Sequence, residues 1–525
     1  MGACWCKIKA PDEQNSPNGL DSLSLASGEP PPYLCRHINP RLVDQLVLEL
    51  LSVITTIVDN DEESPVPLVK LHVIADKEDG WIQVVASLVS VIPLEDPLGP
   101  SAITIVFDEC PLPTKEAVIM LTKHLQLTRK RALRGPLNVH MERNICVVLG
   151  CIADKLAGPN SVAVLTDDTL EYLVTLITMR REPCVVLFSL IALEKFAHTT
   201  ENKITIRRRL DKERDNPLLV LELLSENDNF MWRQVGFCAK WALDNLFVIE
   251  GRKLSYESVD MSNINVILNT NDVSEYLKIS CNGLEARCDS YSFESVRCTF
   301  QQVESGCWYY ECTLITPGVM QIGWATKNSL FLNHEGYGIG DDPYSLSYDG
   351  CRKLIWYKAK PTMIRTVPEW QPGDVLGCLI DIDRREAIFS LNGHRIRPCR
   401  EIFNTTHLDR LGLFAAASFM AFQQCRFNFG NRPFEFPPTD RQFRSFNDYG
   451  DLTEDQKKVI PRRIYLEQLR NTSTRDNLCS LCFDEPPCCV LEPCHHRGFC
   501  SVCTAMLKEC PLCRAHILNV RPEDK

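Results

Sequence analysis

The feature that most constrains this chain is a ladder of cysteines and one histidine near its C-terminus: Cys479-x2-Cys482-x11-Cys494-x-His496-x3-Cys500-x2-Cys503-x6-Cys510-x2-Cys513. A Cys-x2-Cys knuckle lets two thiolates converge on one ion about 2.3 Å away, and sulfur-rich tetrahedral sites select zinc. Eight ligands make two such sites, so two Zn2+ ions are expected. The segment is too small to hold itself by core burial, so the metal must contribute folding energy. Cys488, Cys489 and His495 are spare potential ligands. The first two fall in the inter-knuckle loop and His495 leaves no residue between itself and Cys494. His496 is therefore preferred, and the spare groups are read as exposed loop residues. No coordination position stays open, which argues against hydrolysis by zinc-bound water.

The remaining cysteines do not suggest a disulfide framework. Nine of the 26 lie in the ladder segment, and the others are scattered, mostly in apolar stretches such as those holding Cys146, Cys151, Cys184 and Cys238. Buried free thiols behave as small hydrophobes, and a reducing compartment fits this usage. Met1–Lys9 lacks the apolar core of a secretory signal. The longest uncharged apolar stretches, Trp81–Leu94 and Leu411–Phe422, fall short of the roughly 20 residues needed to cross a bilayer. A net charge of -11 opposes binding to nucleic-acid phosphates, so protein partners are expected and nucleic acid is not.

The 525 residues divide by pattern into five parts. Residues 1–40, rich in Pro, Ser and Asn, read as a disordered tail. Residues 41–258 read as all-α: Leu42, Val43, Leu46, Val47, Leu50, Leu51, Ile54 and Ile57 recur at i+3/i+4. Thr114 is an expected N-cap, the run through Leu156 should stop at Gly158-Pro159, and Asp167 is expected to cap Leu170–Met179. Asp154-Lys155-Leu156, Glu194-Lys195-Phe196 and Asp244-Asn245-Leu246 echo one another at intervals close to an armadillo/HEAT period, so a helical repeat or irregular bundle is expected. The basic runs Arg129-Lys130-Arg131 and Arg207-Arg208-Arg209 are read as solvated faces. Residues 259–440 change to short Val-, Ile-, Tyr-, Phe- and Trp-rich segments with the hairpin signal Asn392-Gly393, which implies an antiparallel sandwich. Residues 441–474 form a linker with a helix restarted at Pro461, and 475–525 hold the zinc ladder.

Two resemblances sharpen this reading. Trp308-Tyr309-Tyr310-Glu311, Ile322-Gly323-Trp324-Ala325, Gly338-Ile339-Gly340-Asp341, Gly373-Asp374-Val375-Leu376-Gly377, Phe389-Ser390-Leu391-Asn392-Gly393 and Phe427-Asn428-Phe429-Gly430 resemble, in order, the motifs of a SPRY domain. The resemblance implies a bent sandwich that binds protein segments through loops at one edge. The ladder is similar to that of a RING finger. That implies interleaved sites, with Cys479, Cys482, Cys500 and Cys503 on one ion and Cys494, His496, Cys510 and Cys513 on the other. The order of helical region, SPRY and C-terminal RING resembles the RING finger and SPRY domain-containing family of ubiquitin ligases.

That family resemblance implies a ligase that recruits a ubiquitin-conjugating enzyme carrying ubiquitin as a thioester, with substrate held by the SPRY domain. The implied docking groove is Leu481, Met506, Leu507, Pro511 and Leu512. Arg514 is the implied cation that positions ubiquitin, its fork of donors suiting two carbonyls at once. No covalent intermediate on this chain is implied. A non-catalytic zinc-containing scaffold is the alternative, distinguished by having no need of Leu481, Pro511 or Arg514. The expected location is cytoplasmic rather than secreted. Gly2, Cys4 and Cys6 are lipidation candidates, with Cys6 where the myristoylation pattern has Ser or Thr. Two acyl chains would give the two signals that stable peripheral membrane association needs.

Overall fold

The computed structural model describes residues 39–54, 64–134, 138–156, 158–179, 182–271, 273, 276–301, 305–330, 337–404, 411–465, 468, 479, 481, 485–493, 495–505, 507–508, 510–511 and 516–522. Two compact units are present, Met1–Val459 and Ile460–Lys525.

In the first unit, the described elements between Pro40 and Ser258 are helices. Proline opens several of them, including Val66–Ala75, Gly99–Glu109 and Pro183–Phe196, because the missing N–H has no intrahelical partner in the first turn. Thr114 caps Lys115–His124 by accepting from the Ala117 N–H at 3.1 Å. The cap of Asp167–Met179 differs from expectation. The helix already includes Asp167, and Thr166 accepts from the Thr169 N–H. Val139–Lys155, Asp167–Met179 and Phe230–Asn245 all pack against Pro183–Phe196, which is buried from Val185 to Phe196. Each large aliphatic side chain buried there contributes about 1.5–3 kcal/mol. None of the described helices is long and apolar enough to cross a membrane.

The echoed acid–lysine pairs have a structural role. Lys155 pairs with Asp108 at 3.4 Å, Lys195 with Asp154, and Lys278 with Glu194. An acid near the end of each helix, where the helix dipole disfavours it, is thus neutralised by a lysine of a later element. The basic runs are likewise not wholly solvated. Arg131 donates to Glu142 and the Leu125 carbonyl, and Arg209 pairs with Glu171 and Glu213.

The strands of this unit are β1 Leu277–Ile279, β2 Glu285–Cys288, β3 Glu294–Arg297, β4 Cys307–Leu314, β5 Met320–Ala325, β6 Ser345–Asp349, β7 Leu354–Tyr357, β8 Lys360–Met363, β9 Val375–Asp381, β10 Glu386–Leu391, β11 His394–Arg395, β12 Phe414–Phe419, β13 Gln424–Asn428 and β14 Arg444–Ser445. One sheet runs β1-β2-β13-β4-β9-β10-β11 with β14 on β4, and the other β3-β12-β5-β6-β7-β8. Alternation places Tyr310, Ile322, Trp324, Tyr348, Phe389 and Phe427 between the sheets. Asn392 (φ 49°) and Gly393 (φ 78°) form the two-residue turn between β10 and β11, a conformation open to Asn and Gly. The sandwich runs past residue 440, since β14 pairs with β4 and Phe446 lies in the core.

Helices and sandwich share one seam. The loops β2–β3, β4–β5 and β12–β13 lie at the same end of the sandwich, and Phe293, Val319, Met420, Ala421 and Phe422 from them enter the helical core. Phe188 meets Phe422 edge-on at 5.0 Å, and Ser101 Oγ donates to the Ala421 carbonyl at 3.0 Å. Beside this apolar contact, buried Lys278 reaches Glu194 and also Asp289 at 2.7 Å, while Arg287 donates to Asp289 and to Gln234. Burial alone would raise the Asp289 carboxyl, but Arg287 and Lys278 outweigh it and lower the pKa to about 2.

Candidate metal centre

Among its described residues, the second unit has little apolar interior. Its buried cluster is Leu491, Phe499 and the four cysteines Cys479, Cys500, Cys503 and Cys510, with Ile517 and Val520 packed alongside. Strands β15, Cys489–Glu492, and β16, Asn519–Pro522, pair antiparallel and carry Leu491 and Val520 into this cluster. The four-residue helix Ser501–Thr504 follows Cys500, whose sulfur accepts the Cys503 N–H at 3.4 Å.

Cys479, Cys500 and Cys503 present sulfurs that all lie within 4.8 Å of one another, and all three are buried. The chain therefore brings Cys479 of the first knuckle beside Cys500 and Cys503, skipping the residues between. A second meeting joins His496 Nδ1 to Cys510 Sγ at 3.5 Å. For bonds of about 2.0–2.1 Å to nitrogen and about 2.3 Å to sulfur, two ligands of a tetrahedral ion stand about 3.5 Å apart. His495, with φ 56°, is exposed. These donor types and separations suit zinc. Cys482, Cys494 and Cys513 lie outside the described residues, as do Met506, Leu512, Arg514, Gly2, Cys4 and Cys6.

Of the other singled-out residues, Leu481 is 42% exposed, Pro511 is exposed and Leu507 is half-buried. Sequence reasoning passes over two further apolar side chains held in solvent, Val502 and Leu518. It also misplaces one of the spare groups. Cys488 is exposed as expected, but Cys489 is buried in β15, drawn in by pairing with β16 from the far end of the segment.

Residues 307–432 match the SPRY domain family, and residues 475–520 match the zinc finger, C3HC4 type (RING finger) family. A relative, the E3 ubiquitin-protein ligase RKP of Arabidopsis thaliana, is 35% identical over 136 residues, covering 25% of this chain and 10% of that protein. This chain thus spans about a tenth of the relative it matches. Among solved structures, the SPRY domain of human HERC1 is 14% identical with a TM-score of 0.25, covering 30% of this chain and 96% of that one. The PSpry domain of TRIM65 is 13% identical with a TM-score of 0.26, covering 31% and 89%. The chain is a multidomain protein in which a helical region and a SPRY β-sandwich precede a zinc-binding, C-terminal RING finger.

Proposed function

We propose that this protein is a RING-type ubiquitin ligase. The observation that carries the reading is the convergence of Cys479, Cys500 and Cys503 within a segment matching the RING family. In this reading Cys479, Cys482, Cys500 and Cys503 hold one zinc ion, and Cys494, His496, Cys510 and Cys513 the other. Both ions are structural, with all four positions of each filled by protein, and the chemistry belongs to the thioester of the ubiquitin-conjugating enzyme. Leu481, Met506, Leu507, Pro511 and Leu512 dock that enzyme. An apolar Leu481 in solvent supports the assignment, since so small a module gains nothing from exposing it unless a partner covers it. Arg514 holds the thioester-linked ubiquitin in its reactive arrangement.

Substrate is held by the SPRY sandwich, with the helical region contributing. The seam bears on where: the β2–β3, β4–β5 and β12–β13 loops are packed into helices, so substrate meets the loops at the other end, such as those joining β3 to β4 and β9 to β10. The protein acts in the cytoplasm, with acylation at Gly2 and at Cys4 or Cys6 attaching it peripherally to membranes. The test is discharge of ubiquitin from a panel of charged conjugating enzymes. Stimulation of at least one supports a ligase, and stimulation of none supports a scaffold.

A further inference from the structure

Cys488 and Cys489 are neighbours in sequence whose sulfurs lie 3.7 Å apart. Both belong to reduced, unbridged residues, and neither joins the buried group of Cys479, Cys500 and Cys503. Their backbone is fixed: the N–H groups of both residues donate to the single carbonyl of Phe499, at 3.0 and 3.1 Å, and Cys489 continues into β15. Cys488 is exposed and Cys489 is buried, so a ligand approaches the pair from the Cys488 side.

Two sulfurs bonded to one tetrahedral zinc at about 2.3 Å stand about 3.8 Å apart. The Cys488–Cys489 separation of 3.7 Å is a sulfur–sulfur contact, close enough for one thiophilic atom to bridge both sulfurs after a small side-chain shift. The pair offers only two ligands, which is too few for the closed four-sulfur shell of a structural zinc. It suits a centre that needs two protein sulfurs and keeps a third substituent of its own.

We propose that Cys488 and Cys489 form a bidentate thiol site for monosubstituted trivalent arsenicals, R–As(OH)2, separate from the zinc ligands. Both S–H bonds and both As–O bonds break, two As–S bonds form, and each thiol proton leaves with a hydroxyl as water. Arsenic stays trivalent, and no oxidant or reductant is consumed. The fixed backbone holds the two sulfurs in contact before the ligand arrives, so little backbone ordering remains to oppose binding. Among the described residues, the other cysteine groups are less suited. Cys312 and Cys425 interact across β4 and β13 but are fully buried, and the candidate zinc ligands Cys479, Cys500, Cys503 and Cys510 are buried as well.

The experiment uses the full chain, zinc-loaded and kept reduced by a phosphine, with phenylarsine oxide as the probe. Native mass spectrometry counts phenylarsenic groups and zinc ions per chain, for the unmodified protein and for Cys488→Ser and Cys488→Ala. Cys488 is exposed, so both variants should fold and keep their zinc. The expected result is that unmodified protein takes up one more phenylarsenic group than either variant, with its zinc retained. Equal uptake by all three proteins, or uptake only in step with zinc release, would overturn the proposal. Zinc content before arsenical is added tests the RING assignment separately.

Discussion

His496 Nδ1 lies 3.5 Å from the sulfur of Cys510, fourteen positions along the chain, while the adjacent His495 is exposed at a positive φ of 56°. Of two neighbouring histidines, one faces a cysteine of the last knuckle and the other faces solvent. The expected consequence is that the protein holds two zinc ions, that His496→Ala loses one, and that His495→Ala loses none. Metal analysis of the three purified proteins decides it. One ion in the unmodified protein, or loss on His495→Ala, would contradict the ligand set. Chelation should unfold the second unit and spare the first, because its cluster consists largely of the cysteines themselves.

Lys278 supplies a different test. It is buried between Glu194 and Asp289, so Lys278→Met leaves two carboxylates desolvated in the seam. Breaking a buried pair from one side costs about 3–5 kcal/mol. Arg395→Ala removes an exposed partner of Asp440 and should cost about 0–1 kcal/mol. Denaturant unfolding of both variants checks the contrast. Equal, small effects would show that the seam does not bury Lys278 in solution.

Asp289 makes the same seam sensitive to acid. Its folded pKa of about 2 lies below the ordinary value, so its contribution is present above about pH 4 and lost as pH falls through about 2. A depression of this size corresponds to about 2–3 kcal/mol. Asp289→Asn should therefore be less stable than the unmodified protein at pH 7, and the gap should narrow from pH 4 to pH 2. A gap independent of pH, measured by denaturant unfolding across that range, would show that the charge of Asp289 contributes nothing.

How much of this was legible in sequence depends on the range of the interaction. Thr114 as a cap, Asn392-Gly393 as a turn and Cys500-x2-Cys503 as a converging pair are local, and each occurs where its spacing implies. The echo of Asp154-Lys155 and Glu194-Lys195 was visible as a repeat, but its meaning was not. The lysines bind acids far along the chain, and the last step leaves the helices for Lys278 on β1. The seam could not be read because Met420, Ala421 and Phe422 look like any apolar strand end. Only the fold shows that they enter the helical core. Cys489 escaped for the same reason, its partner strand β16 lying at the far end of the zinc segment.

The N-terminal proposal is tested by fractionation. One acyl chain binds membranes only marginally, so Gly2→Ala should shift the protein from membrane to soluble fractions even with Cys4 intact. Unchanged fractionation would contradict acylation at Gly2.

The central claim, ubiquitin transfer directed by the RING, is tested most directly by single-turnover discharge from a charged conjugating enzyme that the unmodified protein stimulates. Arg514→Ala changes none of the eight zinc ligands, so zinc content should be unchanged. Discharge should fall on the order of 10-fold or more, because misplacing reacting groups by even 1 Å costs up to about 100-fold. Leu481→Ala should lower discharge by weakening docking, and raising the conjugating-enzyme concentration should partly restore it. Full activity of Arg514→Ala, or no stimulation by the unmodified protein with any conjugating enzyme of a broad panel, would contradict the account.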